Sequence, residues 1–207
     1  MAQGDPGYAY DSADFNDAHS YLLPDLARIL DRSRPRRAFE MGCGNGAVAN
    51  WCQSRGIEVT GIDFSESGIA QARLAYPGLA LSVGSAYDDL AAVYGRFPVV
   101  ISLEVVEHLY FPRKFAKSVF DLLEPGGLAI VSTPYHGYLK NLALAASGRL
   151  DAHFTALWDG GHIKFWSERT LRQLLAEAGF GSIAFRRVGR VRPLAKSMIA
   201  TALKPPA

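Results

Sequence analysis

Three glycines at alternate positions, Gly42, Gly44 and Gly46, follow a short apolar run that ends in Glu40. Residues 47–52 continue with the composition of a helix. Glycine lets a backbone turn sharply and lets a ligand approach without a Cβ in the way. Unpaired N–H groups and the positive dipole end of the following helix then face that ligand. The stretch therefore predicts a strand, a glycine turn and a helix N-terminus that together hold a cofactor.

The glycine turn alone does not identify the cofactor, because residues 42–47 also satisfy the relaxed dinucleotide fingerprint G-x-G-x-x-A. A second apolar run, residues 59–62, ends in Asp63. Asp63 lies 23 residues after Glu40, about the spacing at which a carboxylate binds both hydroxyls of a ribose. The two motifs together predict a cofactor of the adenosine type.

Composition and charge indicate one ordinary globular domain. The 207 residues are 49% hydrophobic, and the net charge of +2 is too small to require a nucleic acid or an anionic membrane as partner. The N-terminus lacks the basic and apolar regions of a signal peptide, and no apolar run reaches the ~18 residues of a membrane span. Cys43 and Cys52 give no disulfide framework. We therefore expect a cytoplasmic protein.

Apolar segments with the composition of strands alternate with helical segments over most of the chain. The strand segments are residues 37–41, 57–62, 79–83, 97–103, 128–133, 181–188 and 196–203. Alternation of this kind implies right-handed crossovers and a doubly wound, mainly parallel sheet between two helical layers, a three-layer α/β/α architecture. No helix separates the last two segments, so we expect a hairpin and an antiparallel terminal strand.

The expected domain organisation is an N-terminal helical segment at residues 1–35 followed by one catalytic domain at residues 36–207. Residues 135–160 interrupt the alternation of strands and helices and form an insert, with a short helix at residues 138–146. We expect this insert to cover the site of a second substrate.

The N-terminal region contains two ambiguous features. Residues 14–30 have helical composition, and Pro24 is placed to open a second helix there. Residues 1–12 are polar but contain Tyr8 and Tyr10. Their composition favours an irregular terminus, and the alternative is a flap over the cofactor.

The set of motifs resembles the class I S-adenosylmethionine-dependent methyltransferases over about residues 36–204, and most closely the ubiquinone-pathway O-methyltransferases and their small-molecule relatives. The motifs that carry the resemblance are residues 40–46, Asp63, Leu103-Glu104-Val105-Val106-Glu107-His108, Leu123-Glu124-Pro125-Gly126-Gly127, and Gly160-Gly161-His162-Ile163-Lys164-Phe165-Trp166. The resemblance implies a Rossmann-like, seven-stranded, mainly parallel sheet with an antiparallel terminal strand.

The same resemblance implies cofactor-binding roles for residues of the glycine turn and of three strand ends. The cofactor would lie against the backbone of Gly42 and Gly44. Asp63 would bind the ribose hydroxyls, and Phe64 would flank the adenine. Leu103 would contact the methionine end. The full expected set is Glu40, Gly42, Cys43, Gly44, Asp63, Phe64, Ser85, Ala86 and Leu103.

One position departs from the family pattern. Many members carry an acid at the end of the third strand to bind the adenine amino group, and Ser85 occupies that position here. Ser85 would accept a weaker hydrogen bond while the Ala86 N–H meets the ring, and Asp88 is a possible substitute for the missing acid.

The rate of methyl transfer depends mainly on the alignment of donor, methyl carbon and acceptor, but an acceptor hydroxyl must also lose its proton. Candidates for that step are Glu104, His108 and the later His162. If a helix began at Glu104, its spacing would place Glu107 and His108 on the same face.

Two carboxylates and an imidazole suit Mg²⁺ or another divalent cation. The resemblance implies such a cation in the ubiquinone-pathway enzymes, so the candidate ligands are Glu104, Glu107, His108 and His162. The alternative is that these acids only complement the dipole of a first helical turn.

Aromatic and basic clusters in the last third have both structural and functional interpretations. Trp158, Phe165 and Trp166 either form an acceptor pocket or belong to the core. A basic cluster over the terminal hairpin is typical of a solvated face, with an anionic acceptor or a lipid surface as the alternative. Its members are Arg186, Arg187, Arg190, Arg192 and Lys196.

The sequence therefore predicts an S-adenosylmethionine-dependent methyltransferase that acts on a small molecule, at an oxygen. One alternative is an NAD-dependent oxidoreductase, although 207 residues leave little room for a substrate domain. The other is an RNA 2′-O-methyltransferase, favoured by Glu104, Glu107, His108 and His162 but opposed by the near-neutral charge. A pseudo-enzyme that keeps only the glycine turn is the third alternative. The acceptor and the oligomeric state stay open.

Overall fold

A computed structural model describes residues 9–206, so the part of the N-terminal segment that contains Tyr8 lies outside the described residues. Seven strands form one sheet in the order β3-β2-β1-β4-β5-β7-β6. The strands are β1 Arg37–Met41, β2 Glu58–Asp63, β3 Ala80–Val83, β4 Phe97–Leu103, β5 Leu123–Pro134, β6 Gly181–Val188 and β7 Ser197–Leu203.

The helices cover both faces of this sheet. They are α1 His19–Ser33, α2 Ala47–Ser54, α3 Glu66–Ala75, α4 Leu90–Tyr94, α5 Pro112–Leu122, α6 Tyr138–Ala146, α7 Leu150–Phe154 and α8 Glu168–Glu177. Two short 3₁₀ turns, Val106–His108 and Arg192–Leu194, complete the regular structure.

Alternate residues of the central strands point to the two faces and build two cores. Phe39 and Val100 belong to a cluster with buried residues of α4, α5 and α8, whereas Ala38 and Ile101 belong to a cluster with those of α1, α2 and α3. This arrangement confirms the predicted three-layer α/β/α sandwich. The leucines of α1 share the second core, so the described part of the N-terminal segment packs directly on the sheet.

The predicted hairpin is confirmed. β7 pairs antiparallel with β5 on one side and with β6 on the other, while the pairs among β1, β2, β3, β4 and β5 are parallel. The last strand in sequence therefore lies inside the sheet, and β6 forms its edge.

Two local predictions are wrong. Pro24 does not open a second helix, because α1 runs through it without interruption. Leu22, Leu26 and Leu30 are all buried on one face across the proline, and their burial outweighs the hydrogen bond that a proline removes.

Glu104 does not start a helix either. Its φ of +54° is left-handed, and a 3₁₀ turn follows it before α5 begins at Pro112. The Glu104 N–H donates to the Ser132 carbonyl and to its hydroxyl at 3.2 and 3.0 Å. These bonds to the neighbouring strand fix the backbone in a conformation from which a helix cannot continue.

The insert contains the expected helix α6 at Tyr138–Ala146 and also the unexpected short helix α7. Strand β5 begins earlier than the predicted segment 128–133, at Leu123, and includes Gly126 with a φ of +79°. Ser65 and Ser167 cap α3 and α8. No helix of residues 9–206 is long and apolar enough to cross a membrane.

Candidate active site

A cavity of about 1200 Å³ opens at the carboxyl ends of β1, β2 and β4. Strand order reverses between β1 and β4, and open α/β sheets bind ligands at such a switch point. The cavity exceeds the 300–1,000 Å³ typical of one small ligand. It therefore has room for two molecules side by side.

The glycine turn forms one end of the cavity. Gly42 has a φ of +81°, and a Cβ at this position would lie 2.3 Å from Cγ2 of Val105. The amides of Gly42 and Cys43 both donate to the Ile62 carbonyl, at 2.8 and 2.9 Å. Only glycine fits this close approach of the turn to the segment after β4.

Asp63 closes the turn from the end of β2. Its Oδ2 accepts from the Gly44 N–H at 2.8 Å and its Oδ1 from the Ser65 N–H at 2.8 Å. The residue is 8% exposed and lines the cavity. The carboxylate therefore lies at the cavity wall with its position fixed by two backbone amides.

Glu40 lies beside Asp63 at the end of β1. Its Oε2 is buried with no hydrogen-bond partner among the described residues. Burial, and next the charge of Asp63, raise the pKa of Glu40 well above its ordinary value. Burial likewise raises the pKa of the thiols of Cys43 and Cys52, which are both free and chemically protected.

The remaining residues predicted for the cofactor follow the same edge of the sheet. Phe64 is 48% exposed and lines the cavity, as do Leu103, Ser85 and Ala86. Asp88 does not line it, because its Oδ2 accepts from the Ser85 N–H at 3.0 Å. The structure gives Asp88 no direct access to a ligand.

The opposite end of the cavity is formed by the 3₁₀ turn and by the loop at residues 160–164. The Glu107 carbonyl accepts from the amides of Ile163 and Lys164, both at 2.9 Å. The backbone of this loop is thereby fixed against the turn. It places His162 beside His108, with 4.8 Å between the ring centres.

Glu107, His108 and His162 converge on one point. Each offers a ligand atom, and these atoms lie within 4.8 Å of one another. Neither carboxylate oxygen of Glu107 has a hydrogen-bond partner among residues 9–206. Burial, and next the charge of Glu104, raise its pKa well above the ordinary range. An unpaired buried carboxylate is costly, and a bound cation would compensate it.

The ring of His108 is oriented by two backbone carbonyls. Its Nδ1 lies 3.0 Å from the Gly160 oxygen and 3.2 Å from the Gly161 oxygen. Since a carbonyl only accepts, Nδ1 carries the proton and Nε2 presents its lone pair, 3.9 Å from Oε1 of Glu107. A histidine that ligates a metal is commonly fixed in this way.

Glu104 does not join this group, in contrast to the predicted set of four ligands. Its Oε1 accepts from the Ser132 hydroxyl at 2.7 Å and its Oε2 from the Ser197 hydroxyl at 3.1 Å. Its left-handed backbone and these two bonds direct the carboxylate to the floor of the cavity. Burial raises its pKa to about 7, although both serine hydroxyls oppose the shift.

The aromatic residues of the last third divide between the two predicted roles. Trp158 lines the cavity. Its ring centre lies 6.0 Å from that of His108 and 5.4 Å from that of His162. Trp166 is buried core, and its Nε1 donates to the Val106 carbonyl. Phe165 does not line the cavity itself but packs on Phe154, which does.

Residues of the insert from Phe154 to Gly160 line the cavity, the loop that follows it continues this lining to Ile163, and helix α6 does not line it.

The basic cluster is partly used within the fold, since Arg186 pairs with Asp25 and Arg187 with Glu168.

Residues 9–12 of the N-terminal segment are irregular as expected, because they form no helix or strand. They nevertheless contribute to the cavity wall, and Tyr10 and His19 line it. Sequence reasoning missed this wall apart from the alternative of a flap.

Comparison with known proteins agrees with this geometry. The sequence model of a family described as "Methyltransferase domain" matches residues 15–184. A ubiquinone biosynthesis O-methyltransferase of Cereibacter sphaeroides is 32% identical over 177 residues, which are 79% of this chain and 70% of that protein. One from Caulobacter vibrioides is 35% identical over 165 residues, 73% of this chain and 64% of that protein.

Solved structures share the fold at lower identity. The magnesium protoporphyrin IX methyltransferase of Synechocystis PCC 6803, solved with bound S-adenosylhomocysteine, has a TM-score of 0.67 and 19% identity. The similarity covers 88% of this chain and 81% of that one. The methyltransferase domain of bacterial CtHen1 has a TM-score of 0.65 and 20% identity over 87% and 96% of the two chains.

We predict that Glu104 makes stability depend on pH. Because its pKa in the folded protein, about 7, exceeds the ordinary value of 4.5, the folded state holds a proton that the unfolded chain releases. The resulting stabilisation is complete below about pH 4.5 and is lost as the pH rises through 7. The variant Glu104→Gln, which cannot ionise, should therefore gain stability relative to the unsubstituted protein between pH 5 and pH 8.

Urea denaturation of metal-free protein at pH 5, 6, 7 and 8 measures this difference. Glu168→Gln removes a carboxylate that pairs with Arg187 near the surface and serves as the matched control. A constant difference between Glu104→Gln and the unsubstituted protein at all four pH values would contradict the prediction.

Proposed function

The chain belongs to the methyltransferase domain family, and on that premise we propose that it transfers the methyl group of S-adenosylmethionine to an oxygen of a small molecule. The family match and the named relatives confirm the methyltransferase predicted from the motifs. The oxygen acceptor follows from relatives named as O-methyltransferases. The observation that carries the proposal is one cavity with a glycine cradle at one end and two histidines at the other.

The glycine end suits the cofactor. We assign the ribose to Asp63, which lines the cavity at the end of β2, and the adenine to Phe64, Ser85 and Ala86. The bound cofactor would lie along the backbone of Gly42, Cys43 and Gly44. Its methionine end would lie next to Glu40 and Leu103. When bound, S-adenosylmethionine supplies a methyl group on a sulfonium that is already activated for transfer.

The charge of the cavity wall favours an uncharged acceptor. No lysine or arginine lines the cavity among the residues that the structure describes, whereas Asp11, Asp14, Glu40, Asp63, Glu104 and Asp159 do. An acidic wall repels phosphate and carboxylate groups. This feature disfavours RNA, which binding proteins hold through basic groups on its phosphates. A neutral hydroxyl compound meets no such repulsion.

The two histidines provide a base for the acceptor proton. Burial lowers the pKa of His162 to about 4 and also lowers that of His108. Both rings are therefore neutral near pH 7, with a lone pair that is able to accept a proton. Trp158 lies against both rings, so an acceptor beside it would be within their reach. We assign Glu104 a supporting role because its oxygens are engaged by serines.

We further propose that Glu107, His108 and His162 hold a divalent cation when one is bound. The histidine lone pairs would then ligate the cation, and the cation in their place would lower the pKa of the acceptor hydroxyl. The donor set of one carboxylate and two neutral imidazoles suits a divalent transition-metal ion better than Mg²⁺, which prefers oxygen ligands. The buried Glu107 carboxylate, whose oxygens have no hydrogen-bond partner among residues 9–206, is the feature that favours a cation here. Glu104 is left out of this ligand set. The prediction of a cytoplasmic protein stays a prediction, and so does the absence of a nucleic-acid partner.

We predict micromolar binding of S-adenosylhomocysteine, about −8 kcal/mol, in an isothermal calorimetric titration. Asp63→Asn should weaken it by at least about tenfold, because one of the two carboxylate oxygens becomes an NH₂ group that cannot accept from a ribose hydroxyl. Asp159→Asn, which changes an acid on the insert side of the same cavity, should leave binding within about twofold. A titration in which NAD binds and S-adenosylhomocysteine gives no heat would favour the oxidoreductase alternative instead.

The ligand set is tested by titrating metal-stripped protein with Mn²⁺. We expect Glu107→Gln and His162→Ala each to weaken Mn²⁺ binding about tenfold or more, since each removes one of three ligands. Glu168→Gln should bind Mn²⁺ like the unsubstituted protein, because its carboxylate pairs with Arg187 and does not line the cavity. Equal Mn²⁺ affinity of all four proteins would rule out the proposed site.

A further inference from the structure

The chain just before α1 crosses over the glycine turn and forms one wall of the cavity. We call residues 9–18 the strap. Tyr10 is its point of closest contact. A Cβ on Gly44 would lie 2.6 Å from the Tyr10 hydroxyl oxygen, and one on Gly68 would lie 2.9 Å from Cδ2 of its ring. Two glycines from different elements thus make a seat that fits the face of this ring.

The glycine turn and the Tyr10 ring together leave no room for a side chain at Gly68. Gly68 lies in the first turns of α3, where glycine costs about 1 kcal/mol relative to alanine. Its backbone φ is that of an ordinary helix, so any residue would be allowed on conformational grounds. What excludes a side chain at this position is the Tyr10 ring together with the Gly44 carbonyl, which is also 2.9 Å from the Cβ position.

Asn45, which lies between the second and third glycines of the turn, holds the strap in place. Its Nδ2 donates to the carbonyls of Ser12 and Asp14, each at 2.9 Å. Between them, the carbonyl of Ala13 accepts from the Tyr76 hydroxyl at 2.9 Å. The carbonyls of three consecutive strap residues are therefore bonded by side chains from the cofactor cradle and from the end of α3.

The position of Tyr10 relative to Asp63 points to a role in binding. The Gly44 amide that lies under the Tyr10 ring donates to Oδ2 of Asp63. Tyr10, Gly44 and Asp63 all line the same cavity. A nucleoside whose ribose is held by Asp63 therefore lies next to the Tyr10 ring, which shields it from water.

We propose that Tyr10 is a cofactor-contacting residue and that Asn45 is a positioning residue that holds the strap over the bound nucleoside. This inference rests on the proposed function, because it assumes that the Asp63 end of the cavity takes S-adenosylmethionine. In this proposal the aromatic ring of Tyr10, and not its hydroxyl alone, contacts the cofactor. The seat formed by Gly44 and Gly68 fixes the position of that ring. The strap, which contains no helix or strand, is then a wall of the site.

The test is an isothermal titration of S-adenosylhomocysteine into the full chain and into Tyr10→Ala and Tyr10→Phe. We expect Tyr10→Ala to weaken binding about tenfold or more and Tyr10→Phe, which keeps the ring, to stay within about threefold. Tyr138→Ala removes an exposed tyrosine outside the cavity lining and is the matched control. Thermal unfolding without ligand should be equal for all four proteins within about 2 °C.

Binding of Tyr10→Ala within about twofold of the unsubstituted protein would overturn the inference. Equal weakening by Tyr138→Ala would overturn it as well. If the unsubstituted protein itself shows no binding, the proposed function fails, and this result is distinguishable from failure of the role of Tyr10 alone.

A double-mutant cycle tests the role of Asn45. If Asn45 acts through the strap, then Asn45→Ala should weaken binding on its own, but the double variant with Tyr10→Ala should be less impaired than the product of the two single effects. Aspartate keeps the shape of the side chain without its donor, so Asn45→Asp should behave like Asn45→Ala. Fully multiplicative effects, or an Asn45→Asp variant with unchanged binding, would overturn the positioning role.

Discussion

The hydrogen bond from the Gly44 amide to the Asp63 carboxylate holds the central part of the site together. It ties the turn after β1 to the end of β2 at the point where strand order reverses. The same carboxylate accepts from the Ser65 amide at the start of α3, so one acid joins three elements. The cavity exists because these elements are fixed while the chain beyond β4 turns away. Because the Asp63 carboxylate both joins these elements and lines the cavity, a change at Asp63 should affect the fold as well as ligand binding.

The second constraint is the burial of two carboxylates beneath the far end of the cavity. Glu104 is satisfied by two serine hydroxyls, one from β5 and one from β7, whereas neither carboxylate oxygen of Glu107 has a hydrogen-bond partner among residues 9–206. The two acids three residues apart therefore have different tasks. Glu104 fixes the left-handed turn after β4, and Glu107 is directed at the two histidines. Of the motif Glu104, Glu107 and His108, only Glu107 and His108 therefore belong to the proposed ligand set. The third ligand, His162, comes from the later loop.

Much of the fold could be predicted because its signals are local. Continuous apolar runs marked β4 and β5, Ser65 and Ser167 marked helix starts, and the missing crossover marked the hairpin. The failures all depend on contacts between residues distant in sequence. Leucine packing on the sheet carries α1 through Pro24, and Ser132 determines the backbone of Glu104. Asn45 is more than thirty residues from the strap that it fastens, so the wall formed by Tyr10 had no local signal beyond the tyrosine itself.

The most direct test of the account is methyl transfer itself. Purified protein would be incubated with S-adenosylmethionine carrying a tritiated methyl group, with Mn²⁺, and with either a panel of uncharged phenols and alcohols or a short single-stranded RNA. The account predicts that label passes to at least one uncharged hydroxyl compound, that His162→Ala lowers the rate about a hundredfold or more, and that RNA receives none. Label in RNA with none in any compound of the panel would contradict the account, because RNA is a polyanion that the acidic wall of the cavity should repel.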